Sequence, residues 1–63
     1  MDPNALPAID GQYYDARENW LAYFDRVYFR WVLERFRYVV MQAALMAGVD
    51  QSYLRKIMKK RGL

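Results

Sequence analysis

The sequence predicts an all-α protein in which one long helix is followed by two short helices. Three observations support this prediction. Residues 13–36 contain no Gly or Pro, and their apolar side chains recur every three or four residues, which is the spacing of a helix face. Gly48 and Gly62 each follow a further helical stretch, and glycine readily takes the left-handed conformation that ends a helix. No stretch shows the strict apolar-polar alternation of a half-buried strand.

Residues 1–12 are expected to form a flexible tail or linker that precedes a single domain over residues 13–63. This segment holds both prolines and one of the three glycines of the chain, and such residues interrupt regular secondary structure. A domain of this size buries only about 60% of its unfolded surface. Because the chain has no cysteine for a disulfide, association with another molecule is the expected source of further burial.

The long helix over residues 13–36 is apolar around most of its circumference, which is typical of a buried helix. At 1.5 Å per residue it is about 36 Å long, more than two short helices can cover. We therefore expect a homodimer, since a symmetric second copy is the simplest source of the missing cover. The expected dimerisation residues are aromatic and aliphatic side chains of this helix: Trp20, Leu21, Phe24, Val27, Tyr28, Trp31 and Val32.

The second helix is predicted over Val40–Ala47 and the third over Gln51–Arg61. Gly48 ends the second helix, and Asp50 caps the third by accepting hydrogen bonds from backbone N–H groups. Ala44 lies four residues before Gly48, where a small side chain lets the two helices cross closely. A helix, a tight glycine turn and a second helix form the helix-turn-helix arrangement.

Basic residues concentrate in the C-terminal half of the chain. Residues 1–34 carry six acidic residues against three arginines, whereas residues 35–63 carry one acidic residue against seven basic ones. In the third helix, Leu54, Ile57 and Met58 share one face. The opposite face carries Ser52, Arg55, Lys56, Lys59 and Lys60. A recognition helix in a DNA major groove needs such a cationic outer face, although the pattern also suits a membrane surface or an acidic partner.

The last 22 residues, QAALMAGVDQSYLRKIMKKRGL, resemble the Fis-type helix-turn-helix family. This module occurs in the nucleoid protein Fis and at the C-terminus of NtrC-like enhancer-binding activators. The resemblance is carried by residues 43–44, 47–50, 52–54, 59–60 and 62–63. Upstream, ARENWLAYFDRVYFRWVLERF is similar, more weakly, to the helix that precedes the motif in the activators. The resemblance extends over about residues 14–63.

This resemblance implies a homodimeric, sequence-specific DNA-binding domain of a bacterial transcription regulator, located in the cytoplasm at the nucleoid. Each protomer would place one recognition helix in the major groove of double-stranded DNA. At base edges the resemblance places Gln51, Ser52 and Arg55. At the DNA backbone it places Tyr53, Lys59 and Lys60, while Lys56 reaches bases or phosphates.

Two stretches depart from the family pattern. Between its first two helices the family usually has a Gly-Gly-Asn or Gly-Asn turn, whereas this chain has Arg37, Tyr38 and Val39. Either these residues form a turn, or one continuous helix passes the DNA-binding unit to the partner by domain swapping. Val39 and Met41 also replace polar residues that contact phosphate in the family. The alternative function is therefore a helical dimerisation or protein-interaction module that has lost DNA binding.

No catalytic site, metal site or cofactor is expected. The chain has no His and no Cys, which removes the commonest metal ligand and general base. Its acidic residues on the long helix alternate with arginines, as in surface ion pairs, so we predict no enzyme and no small-molecule substrate. The longest charge-free run, residues 38–49, is shorter than the ~20 apolar residues of a membrane span, and no membrane partner is expected.

Overall fold

The structure is a computed structural model that describes residues 5–63. Within this range it contains three helices and no strand: α1 spans Tyr13–Arg35, α2 spans Val40–Ala47 and α3 spans Gln51–Arg61. The all-α prediction is confirmed, and each helix begins and ends within one residue of its predicted bounds. Residues 5–12 form neither helix nor strand, and residues 1–4 of the expected tail lie outside the described range.

The core lies between the C-terminal half of α1 and the two short helices. Seven apolar side chains are buried there: Phe29, Val32, Leu33, Ala43, Ala44, Leu54 and Ile57. The contribution of α2 to this core is two alanines, which lack the bulk that would hold the other helices away. Val49, just after the α2–α3 turn, is half-buried and packs against the core.

The apolar residues of α1 differ in how far the rest of the protomer buries them. Val32, which we expected at the dimer interface, is fully buried in the protomer core at 0% exposure, so it offers no surface to a second copy. Tyr28 is half-buried and packs against the same core. Before Phe29, no residue of α1 is buried. The N-terminal half of this helix therefore contributes no fully buried side chain to the core.

The segment between α1 and α2 forms a turn, so the continuous helix required for domain swapping is not present. Arg37 and Tyr38 both have left-handed backbone conformations, with φ of 54° and 63°. The Tyr38 N–H donates to the Leu33 carbonyl at 2.7 Å, and the Arg37 N–H donates to the Glu34 carbonyl at 3.2 Å. These two bonds define a Schellman motif, in which the position of Arg37 is usually glycine.

Arg37→Gly should therefore stabilise the protein. The left-handed conformation costs an L-residue about 1–2 kcal/mol, and the greater freedom of glycine in the unfolded chain offsets part of the gain. We expect a net increase of about 0.5–1 kcal/mol in the free energy of unfolding, which raises Tm by several degrees. Arg37→Ala is the matched control, because it removes the same side chain but keeps the Cβ atom. Equal Tm values for the two variants would show that this turn is not strained.

Candidate nucleic-acid interface

The turn between α2 and α3 is built by Gly48 and Asp50. Gly48 has φ 73° and ψ 28°, and the N–H of Val49 donates to the Ala44 carbonyl at 3.0 Å. A Cβ atom on Gly48 would meet nothing within 4 Å, so the backbone conformation, and not crowding, favours glycine here. The turn brings the end of α2 directly to the start of α3, as the sequence predicts.

Asp50 caps α3. Its Oδ2 atom accepts a hydrogen bond from the Ser52 backbone N–H at 3.2 Å and another from the Ser52 hydroxyl. These bonds, the side-chain bond first, hold the pKa of the Asp50 carboxyl below its ordinary value. The carboxylate is also favoured by the positive end of the α3 dipole, while Lys59, Lys60 and Arg61 occupy the last turn at the negative end. Local sequence signals thus fix both ends of α3.

The residues of α3 divide into an inner and an outer face. Leu54 and Ile57 are buried against the other helices. Six of the seven predicted DNA-binding residues are exposed: Ser52, Tyr53, Arg55, Lys56, Lys59 and Lys60. Gln51, the seventh, is half-buried, and its Oε1 atom lies 3.5 Å from Nη2 of Arg55. The structure therefore brings the predicted polar and cationic side chains together along one side of a single helix.

Arg61 ties the end of α3 to the middle of α1. Its Nη1 atom donates to Glu18 Oε1 at 2.9 Å and its Nε atom donates to Asp25 Oδ2 at 3.1 Å. The side chain of Arg61 is only 9% exposed. The hydrogen bond from Arg61 holds the pKa of Glu18 below its ordinary value of 4.5. Arg61 therefore contributes to the internal structure and adds little to the outer cationic face.

Sequence reasoning missed this pairing. Glu18 and Asp25 are seven residues apart and so lie on one face of α1, which is the one available signal. Glu18 also forms an ion pair with Lys60, whose Nζ atom lies 4.0 Å from Glu18 Oε1. The carboxylate of Glu18 therefore offsets part of the positive charge of Lys60, whereas Lys59 forms no ion pair of this kind with any of residues 5–63.

The outer surface of α2 is uncharged and, apart from the exposed Gln42, apolar. Met41 and Met46 are exposed, and Leu45 is 83% exposed. The helix carries no acidic or basic residue. Because phosphate contacts need hydrogen-bond donors or positive charge, α2 can supply few of them. Of these two helices, only α3 carries positive charge.

A second exposed surface runs along α1 on the side away from the core. We call it the α1 seam and define it as Trp20, Phe24, Val27 and Trp31. Phe24 is 58% and Trp31 51% exposed, Val27 is also exposed, and Trp20 is half-buried. The guanidinium of Arg35 lies over the Trp31 ring at 5.6 Å. Leu21, the remaining predicted dimerisation residue on this helix, is exposed at the edge of the seam.

No group of three or more His, Cys, Asp or Glu residues that could hold a metal ion occurs in residues 5–63. Across the same residues, none of the helices combines the length and the hydropathy needed to cross a bilayer. Comparisons of the chain with protein-family models, with curated proteins and with solved structures give no match.

Proposed function

We propose that this chain is a homodimeric, sequence-specific DNA-binding domain of a bacterial transcription regulator, with α3 as the recognition helix. The observation that carries the proposal is the geometry of α3. One face is buried through Leu54 and Ile57, and the other presents exposed polar and cationic side chains beyond a glycine turn. This arrangement supports the Fis-type resemblance of residues 42–63. In this function the protein acts at the nucleoid and needs no cofactor.

The charge of α3 supports an anionic partner. The helix has no acidic residue, and four of its cations are exposed: Arg55, Lys56, Lys59 and Lys60. Cations that neutralise DNA phosphates release condensed counterions, which makes the affinity fall steeply with salt. Because α2 adds no charge, we propose that phosphate contacts are fewer than in a helix-turn-helix with two polar helices. The salt dependence should be correspondingly moderate.

The position of each side chain along α3 suggests its role. Residues near the N-terminus of a recognition helix contact base edges, and here these are Gln51, Ser52 and Arg55. Arg55 can offer two parallel donors to a guanine once it leaves Gln51. Lys56 follows on the next turn, within reach of bases or phosphates. Tyr53 lies toward one side of this face and Lys59 toward the C-terminal end of α3, positions where the groove wall brings the DNA backbone close.

Arg55→Ala and Lys59→Ala should weaken DNA binding in different ways. Loss of Arg55 should cost about 1–3 kcal/mol and relax discrimination at one base position in each half-site. Loss of Lys59 should weaken binding to all sequences about equally and reduce the slope of log affinity against log salt by ~0.9. Lys60→Ala is the matched control, with a smaller effect because Glu18 already faces this lysine. Anisotropy titrations of a duplex library at several salt concentrations measure all three.

A protein-interaction module is the second candidate function, and the apolar outer surface of α2 favours it. Leu45 and Met41 are exposed on a helix that has no charged residue, and exposed apolar patches mark protein-binding surfaces. The same titrations separate the two functions. If the unmodified protein shows no salt-dependent binding to any duplex at physiological salt, DNA binding is wrong and the interaction module takes its place.

A further inference from the structure

The α1 seam continues at each end into a charged residue. Positions alternately three and four residues apart carry Arg17, Trp20, Phe24, Val27, Trp31 and Glu34. This is the spacing with which two helices form a coiled coil. Arg17 and Glu34 are both exposed, and they have opposite charges. The four apolar residues of the seam are thus flanked by a positive side chain on the N-terminal side and a negative one on the C-terminal side.

The two possible orientations of a second copy place these charges differently. In a parallel pair each seam residue faces its own copy, so Arg17 faces Arg17 and Glu34 faces Glu34. In the antiparallel pair that buries all four apolar residues, Arg17 faces the partner's Glu34. The central layers are then Trp20 with the partner's Trp31 and Phe24 with the partner's Val27. Opposite charges attract and like charges repel, so the charges at both ends favour the antiparallel pair.

We propose that the α1 seam binds the α1 seam of a second copy of this chain in antiparallel orientation, with Arg17 of each chain opposite Glu34 of the other. The apolar centre supplies the driving force, and the charged ends select the orientation and the register. Selection of this kind is the usual role of charges at helix interfaces.

Depressions lie beside the α1 seam. One, of about 460 Å³, is lined by Arg17 and Trp20 together with Ile9, Gly11 and Tyr13, so residues 9–11 border the N-terminal end of the seam. Another, of about 400 Å³, is lined by Val27, Trp31 and Glu34 among others. A second copy that covers the seam would exclude solvent from these depressions.

The antiparallel orientation also suits two recognition helices. By helical geometry the seam and the core-facing side of α1 are roughly 150° apart around the helix. At 180° α3 would lie in the plane that contains the two paired α1 axes, so the difference of about 30° places α3 to one side of that plane. A two-fold axis perpendicular to α1 puts both α3 helices on the same side of that plane, whereas an axis parallel to α1 puts them on opposite sides. One duplex can meet both α3 helices in the first case. This last step rests on the proposed function, but the pairing itself does not.

Introduced cysteines test the orientation of the pair. The chain has no cysteine, so every cross-link reports an introduced residue. In the antiparallel pair, the double variant Arg17→Cys, Glu34→Cys should oxidise to a disulfide-linked dimer. Arg17→Cys alone should not, because its two copies lie about 25 Å apart along the helices, far beyond disulfide reach. Rapid cross-linking of Arg17→Cys alone would overturn the proposal in favour of parallel pairing.

Charge reversal tests the pairing without cross-links. Arg17→Glu should raise the dimer Kd about tenfold, since two attractive pairs become repulsive. Adding Glu34→Arg should restore the original Kd. Asp15→Arg, a reversal on the opposite side of α1, is the control and should change little. A double reversal that binds no better than the single one, or a protein that stays monomeric at every concentration in sedimentation, would overturn the proposal.

The antiparallel pairing and DNA binding fail separately. Sedimentation and cross-linking are measured without DNA, and DNA titrations are measured without introduced thiols. If antiparallel pairing holds but no duplex is bound, the DNA-binding function is wrong and the pairing stands. If a duplex is bound but Arg17→Cys cross-links alone, the pairing is wrong and the DNA-binding function stands.

Discussion

Replacing Leu33 with alanine should remove much of the stability of the protein. Leu33 is completely buried in the core formed by α1, α2 and α3. Among residues 5–63, the other large side chains that are completely buried are Leu54 and Val32. Truncating a buried leucine costs about 2–5 kcal/mol, because transfer free energy is lost and a cavity remains. A domain of this length is stable by only about 3–9 kcal/mol in total. Chemical denaturation monitored by circular dichroism measures the change.

Leu45→Ala provides the matched control for Leu33→Ala. It makes the same chemical change on α2, but Leu45 is almost fully exposed, and substitutions at such positions usually change stability by less than about 0.5 kcal/mol. Both variants must be compared at one protein concentration, since self-association adds to apparent stability. Equal losses for the two variants would contradict the core described above.

Replacing Phe24 with aspartate should convert the proposed dimer to a monomer and leave most of the helix content intact. Phe24 lies at the centre of the α1 seam and is mostly exposed in the protomer, so its loss removes little from the core. In the dimer, each introduced carboxylate would be buried against the partner's Val27 without a counter-charge. Burying such a charge costs several kcal/mol, so we expect the dimer Kd to rise more than about a hundredfold.

Sedimentation and circular dichroism together test the Phe24→Asp prediction. Leu45→Asp is the control, because it also replaces an exposed apolar residue with an acid, but on α2 and away from the seam. Its dimer Kd should stay near that of the unmodified protein. A Phe24→Asp protein that sediments as a dimer would show that the seam is not the association surface, whatever its exposure in the protomer.

Elements set by local signals could be predicted from the sequence. The C-terminal end of α2 and both ends of α3 follow from Gly48, Asp50 and Gly62, whose conformations depend on their immediate neighbours. The outer face of α3 follows from the 100° advance per residue. Both kinds of signal act within a few positions along the chain, so no knowledge of the tertiary structure is needed to apply them.

Features that depend on tertiary packing could not be predicted. Nothing in the side chains of Arg37 and Tyr38 favours the left-handed conformation, and the packing of the flanking residues Phe36 and Val40 against the core accompanies the turn. The partners of Arg61 lie 36 and 43 residues earlier in the chain. Val32 could not be separated from the seam, because its position in the periodic pattern does not say which molecule covers it.

The uneven burial along α1 has a consequence for backbone hydrogen exchange. Residues 13–28 include no buried side chain, and the ion pairs of Glu18 and Asp25 with Arg61 are their main long-range polar contacts. Local opening requires less free energy where few apolar contacts must break. In a single chain, the amide protons of this half should therefore exchange with deuterium sooner than those of residues 29–35. The proposed pairing of α1 seams predicts that a higher protein concentration slows exchange in the first half of α1, which gives a residue-level test of self-association that needs no substitution.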